Sequence, residues 1–122
     1  MTQMTFLPAT PADMVEEYAT VTGQTNRPEL YVDLILEEYD EWYAEMWVGD
    51  NPHNELKEMA DLIYVLYGYA RVKGYNLDKA VERVHQNNMG RMRQPDGTIL
   101  RREDGKVMKN KDFSRVELGD LV

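Results

Sequence analysis

Eight carboxylates crowd two short stretches of this sequence: Glu37, Glu38, Asp40, Glu41 and Glu45 in the first, and Glu55, Glu58 and Asp61 in the second. Each stretch contains a pair at i,i+3, Glu38 with Glu41 and Glu58 with Asp61. On a helix that spacing puts both side chains on one face. The sixteen residues between Glu41 and Glu58 are enough to finish one helix, turn and begin an antiparallel partner, which brings the two pairs to one level. Four carboxylates so placed repel one another, and a divalent cation removes that cost. With no cysteine in the chain, the donors are oxygens, which points to Mg²⁺, with Mn²⁺ able to substitute. The competing reading is an ordinary solvated acidic face. It suffices for a lone pair, but two pairs on consecutive helices, with no compensating lysine expected at i,i+4, weigh against it.

The run Glu37-Glu38-Tyr39-Asp40-Glu41 followed by Glu58-Met59-Ala60-Asp61 resembles the EExxE…ExxD signature of the MazG-like all-α NTP pyrophosphohydrolases. That superfamily also holds dimeric dUTPases and phosphoribosyl-ATP pyrophosphohydrolases. The likeness covers roughly residues 28–91. It extends to Asn88-Met89-Gly90-Arg91, which is similar to the family's Asn-Met-x-Lys element with Arg in place of Lys; an arginine still makes a bidentate phosphate contact. The resemblance implies that Glu38, Glu41, Glu58 and Asp61 are metal ligands, that Glu37 is the general base, and that attack falls on the α-phosphorus. Position agrees for Glu37, beside Glu38 and one turn before Glu41, where it can take a proton without being a ligand. Read without the family, these residues do not distinguish α from γ attack.

Arg91, Arg93, Arg101, Arg102, Lys106, Lys109, Lys111 and Arg115 place eight of the fourteen cations near the chain's end. If that stretch folds back it can clamp phosphates, with Asn88, Arg91, Lys106 and Lys109 as the substrate contacts. The plainer alternative is a polar tail that packs on a neighbouring subunit or keeps the protein in solution. The tail from Asp96 to Lys106 is similar to that of small MazG-like proteins of phage and bacterial type, whose substrates are usually deoxynucleotides. A purine deoxynucleotide such as dGTP is therefore the first expectation, phosphoribosyl-ATP the enzymatic rival, and a non-catalytic helical interaction module the reading from another class. Tyr31, Tyr39, Trp42, Tyr43, Trp47, Tyr64, Tyr67 and Tyr69 are expected mainly in the core or at subunit contacts, although a base can stack on one of them. His53 and His85 have no second imidazole at ligand spacing. No GxxxxGK[ST] or GxGxxG occurs, so a glycine-rich phosphate loop is excluded.

The elements that must carry these residues are marked by proline and glycine. Thr10-Pro11 opens a helix that runs to about Val21 and stops before Gly23. Pro28 opens a second, striped by Leu30, Leu34, Ile35, Tyr39, Trp42 and Met46 and ending near Gly49. Asn51-Pro52 starts a third, striped by Leu56, Met59, Ile63, Leu66, Tyr67 and Ala70, to about Lys73. Asn76 caps a fourth, with Leu77, Ala80, Val81 and Val84 inward, which fades around Asn88. Turn signals at Gln94-Pro95-Asp96-Gly97 and Asp104-Gly105 predict a small β-hairpin in the tail. The expected fold is an all-α four-helix bundle in one domain over residues 1–122, with a helical core at about 10–90 and a tail at 91–122. At 122 residues with 43% hydrophobic and 30% charged content, a globular chain helped by forming a homodimer or homotetramer is expected. The net charge of −8 divides into −12 over residues 1–61 and +4 over residues 62–122. Such an acidic chain is no general nucleic-acid binder, but an acidic half for metal and a basic half for phosphate suit a metal-bound nucleotide. No leader pattern or membrane span is evident, so a cytoplasmic protein with no membrane partner is expected.

Overall fold

A computed structural model of the chain describes residues 10–24 and 26–122. Residues 1–9, and Thr25 in the expected polar turn, lie outside the described residues. The fold is all-α, with four helices and no strand among the described residues. They are α1 (Pro11–Thr22), α2 (Pro28–Val48), α3 (Pro52–Lys73) and α4 (Leu77–Arg91). No helix is long and apolar enough to cross a membrane.

Proline sits in the first turn of α1, α2 and α3, where its missing N–H costs no helical bond. Two caps add to this: Thr10 Oγ1 accepts from the Asp13 N–H at 3.2 Å, and Asn51 Oδ1 from the Asn54 N–H at 3.0 Å. At the turn between the acidic helices Gly49 has φ 71° and donates to the Glu45 carbonyl at 3.0 Å. An L side chain is strained there, so glycine ends α2 and lets the chain reverse.

The chain divides into two units, residues 1–77 and 78–122. In the first, α3 packs against both α1 and α2. Buried Tyr31 of α2 lies against Gly68 of α3, where an added Cβ would run into the tyrosine ring. On the other side Arg71 of α3 pairs with Glu16 of α1 and donates to Asn26 Oδ1 at 3.0 Å. Val15, Ala19, Tyr31 and Ala70 are the buried apolar residues of this unit.

In the second unit the tail lies along α4. Arg83 forks onto Asp120 at 2.6 and 2.8 Å, and Asn87 Nδ2 donates to the Ser114 carbonyl at 2.8 Å. Phe113 packs so closely on Gly90 that a Cβ would meet its ring at 2.4 Å. The helix runs to Arg91, three residues past the expected fading at Asn88, because the tail packs against its last turn. The expected hairpin forms as a turn closed by a single antiparallel bridge, Arg101 with Val107, not as paired strands. Val81 and Val84, expected inside, are exposed, as are Leu56, Met59, Ile63 and Leu66 of α3. Periodicity marks these faces as apolar, but among the described residues they stand exposed instead of facing inward.

Candidate metal centre

The Tyr31–Gly68 contact sets the level of every residue along the antiparallel α2–α3 seam. Seven residues beyond Tyr31 comes Glu38, and seven before Gly68 comes Asp61; ten beyond and ten before come Glu41 and Glu58. Seven residues are close to two helical turns, so residues at matched offsets return to the facing side. A contact further along keeps the same offset, with Asn54 Nδ2 donating to Glu45 Oε1 at 3.5 Å. The acid pairs therefore converge because one glycine admits one tyrosine ring two turns away.

The convergence is close. Glu38, Glu58 and Asp61 each offer an oxygen, and these three atoms lie within 4.8 Å of one another. Glu41 acts on both Glu38 and Glu58, raising the pKa of each. Burial, then Glu41, Asp61 and Glu58, push the Glu38 carboxyl from its ordinary 4.5 up to about 7. Burial and Glu41 also raise Glu58, against a lowering by Lys57. Oε2 of Glu38 and Oε2 of Glu58 are sealed from solvent with no hydrogen-bond partner, as is Trp42 Nε1 one turn after Glu38. Sealed carboxylate oxygens without a donor are costly. A hard divalent cation fits this donor set, and Glu38, Glu58 and Asp61 are the residues placed to hold it, with Glu41 at their edge.

One expectation is corrected here. The acids do have a compensating lysine at i,i+4: Lys57 Nζ lies 2.7 Å from Asp61 Oδ2 and 3.8 Å from Glu58 Oε1. The pairing was readable from the spacing of Lys57 and Asp61, with the cation on the N-terminal side. Lys57 is mostly exposed, so this ammonium is a solvent-screened counter-charge for the cage.

The remaining candidates are placed as follows. Glu37 is exposed and outside the group of three convergent oxygens. Asn88, Lys106 and Lys109 are exposed, while Arg91 is partly buried and donates to Asn87 Oδ1 at 3.2 Å. His53 and His85 are exposed. One turn from the acids, a cavity of about 290 Å³ opens among Val15, Tyr18, Tyr31, Leu34, Tyr64 and Val65. Tyr18 and Tyr64 meet there edge to face at 5.9 Å. Its walls come from three helices, so no spacing within one helix announced it.

None of the curated proteins matches the sequence. Residues 8–88 match the model of a protein family described as phosphoribosyl-ATP pyrophosphohydrolase. That stretch is well over half of the chain and contains Glu38, Glu58 and Asp61, with Glu41 beside them. The family's activity depends on a divalent metal, in keeping with the acidic cluster. The chain thus belongs to the phosphoribosyl-ATP pyrophosphohydrolase family, within the MazG-like superfamily of all-α NTP pyrophosphohydrolases.

Proposed function

We propose that this protein hydrolyses a nucleoside or deoxynucleoside triphosphate to the monophosphate and pyrophosphate with Mg²⁺, Mn²⁺ substituting, and that a purine deoxynucleotide such as dGTP is its substrate. The observation that carries the reading is the meeting of carboxylates from α2 and α3 with two oxygens sealed and unpartnered. In this reading Glu38, Glu41, Glu58 and Asp61 hold the metal, which when bound neutralises phosphoryl charge as the anhydride breaks. Glu37 takes the proton of the attacking water, and its exposed position beside the cage supports that role. Asn88, Arg91, Lys106 and Lys109 contact the phosphates. The tyrosine-walled cavity one turn from the acids gives a base a stacking surface. The protein acts in the cytoplasm of a bacterial or phage-infected cell as a homodimer or homotetramer, an assembly supported by the apolar stripes exposed among the described residues.

A second reading is favoured by the family's own description: the same cage serving phosphoribosyl-ATP. Incubating the purified protein with each common NTP and dNTP and with phosphoribosyl-ATP, in Mg²⁺ and in Mn²⁺, separates the two by product analysis. Monophosphate plus pyrophosphate from a purine dNTP supports the first reading, and turnover confined to phosphoribosyl-ATP supports the second. No pyrophosphate from any of them leaves the non-catalytic interaction module.

A further inference from the structure

We infer that residues 91–111 form a receptor for condensed inorganic phosphate, with pyrophosphate as its ligand, that works without a divalent metal. Arg91, Arg102, Lys106, Lys109 and Lys111 line one cavity of about 280 Å³, together with Val107 and Met108. Arg102 is forked onto Asp104, at 3.2 and 2.5 Å. The other four cations have no ion-pair partner among the described residues. Like charges gathered in one concavity raise its potential and favour a multiply charged anion over a single carboxylate.

A second observation is independent of the charge count. Arg91 Nε is sealed from solvent and has no acceptor, while the guanidinium is held in place by Asn87 Oδ1 at 3.2 Å. A buried charged donor left unpaired is costly, and a phosphate oxygen is the acceptor that suits a guanidinium. The scaffold is also formed in advance. Asn110 N donates to the Arg91 carbonyl at 2.7 Å, Met108 N to Leu100 O at 2.7 Å, Gln94 Nε2 to Met108 O at 3.0 Å, and Arg102 N to Lys106 O at 2.8 Å. These bonds fix the loop that carries the lysines, so a ligand need not order it. Among the described residues no aromatic side chain lines the cavity, and the chain as a whole is at −8, which disfavours a nucleic-acid strand that would stack its bases. The lysines lie beyond residue 88, where the family match ends. The choice of pyrophosphate rests on the reaction proposed above, of which it is a product; the site's existence does not.

Equilibrium dialysis of radiolabelled pyrophosphate against the full chain in EDTA at low salt tests this. One saturable site per chain is expected, weakening as salt rises. It should weaken at least about tenfold in Lys106→Ala/Lys109→Ala and measurably in Lys111→Gln, and remain in Glu38→Gln. All three lysines are exposed, and far-UV circular dichroism confirms that the variants fold. Absence of saturable binding, or equal binding by the folded double variant, overturns the site. Orthophosphate binding as tightly as pyrophosphate, or displacement by a DNA oligonucleotide at lower concentration than by pyrophosphate, overturns the assignment of ligand. Pyrophosphate binding in a protein that hydrolyses no nucleotide would sink the proposed function and leave the receptor standing.

Discussion

A carboxyl whose second oxygen is sealed from water, with other carboxyl groups around it, can keep its proton or take a cation. Glu38 is in that position, and its pKa is raised from 4.5 to about 7. The folded, metal-free protein therefore holds this proton at pH values where the unfolded chain has lost it. Stability conferred by that proton is complete below about 4.5 and is lost as pH rises through about 7. Thermal unfolding in EDTA should show wild type losing ground to Glu38→Gln across this window, and saturating Mn²⁺ should abolish the wild-type loss; a difference independent of pH would contradict the assignment. In the same variant hydrolysis should fall by at least about 100-fold with the helical spectrum unchanged. Glu37→Gln should lower turnover by roughly 100-fold while Mn²⁺ affinity stays near wild type. A large loss of that affinity would make Glu37 a ligand instead of a base. At this scale the sequence was informative, because i,i+3 spacing is enough to align carboxylates on a helix. The Lys57–Asp61 pair is equally local, an i,i+4 spacing with the cation preceding the acid, and corrects the expectation that the acids lack a compensating lysine.

The helices were legible for a related reason. Thr10-Pro11, Asn51-Pro52 and Gly49 act through bonds within a few residues, so the chain announces its own starts and stops. The pairing of α2 with α3 was legible only in outline. A connection of the right length brings the acids near one another, but their level depends on Tyr31 lying against Gly68, a contact between residues thirty-seven apart in sequence. Gly68→Ala places a methyl inside the tyrosine ring and must shift either the ring or the helices. Chemical denaturation should register a loss of about 1–3 kcal/mol, and Mn²⁺ should bind more weakly although no ligand has changed. Wild-type stability with wild-type affinity in this variant would refute the register argument. The tail's turns were likewise visible in Gly97 and Gly105, but its packing on Gly90 through Phe113 was not.

At the scale of the molecule, apolar stripes stand exposed among the described residues. Leu56, Met59, Ile63 and Leu66 recur at helical spacing on α3, and Leu36, Tyr39, Tyr43 and Trp47 on α2, and all eight are exposed. Periodicity marks a face as apolar without saying which surface covers it, which is why the α3 stripe reads as inward-facing in the sequence and the aromatic residues as core or subunit contacts. A second copy is the partner we propose. Light scattering after size exclusion should give twice or four times the chain mass of 14.3 kDa, and Leu56→Glu/Ile63→Glu should shift it toward one; a wild-type monomer at micromolar concentration would contradict this. The charge division into an acidic and a basic half is written in the sequence itself. What the rest depends on is a cation shared by α2 and α3. Anomalous diffraction from crystals grown with Mn²⁺ tests it directly. The account predicts a peak bounded by Glu38, Glu58 and Asp61 at roughly 2.0–2.3 Å from their oxygens, with the Lys57 ammonium turned away from Asp61. Carboxylates splayed into solvent with no peak between them, at saturating Mn²⁺, would contradict it.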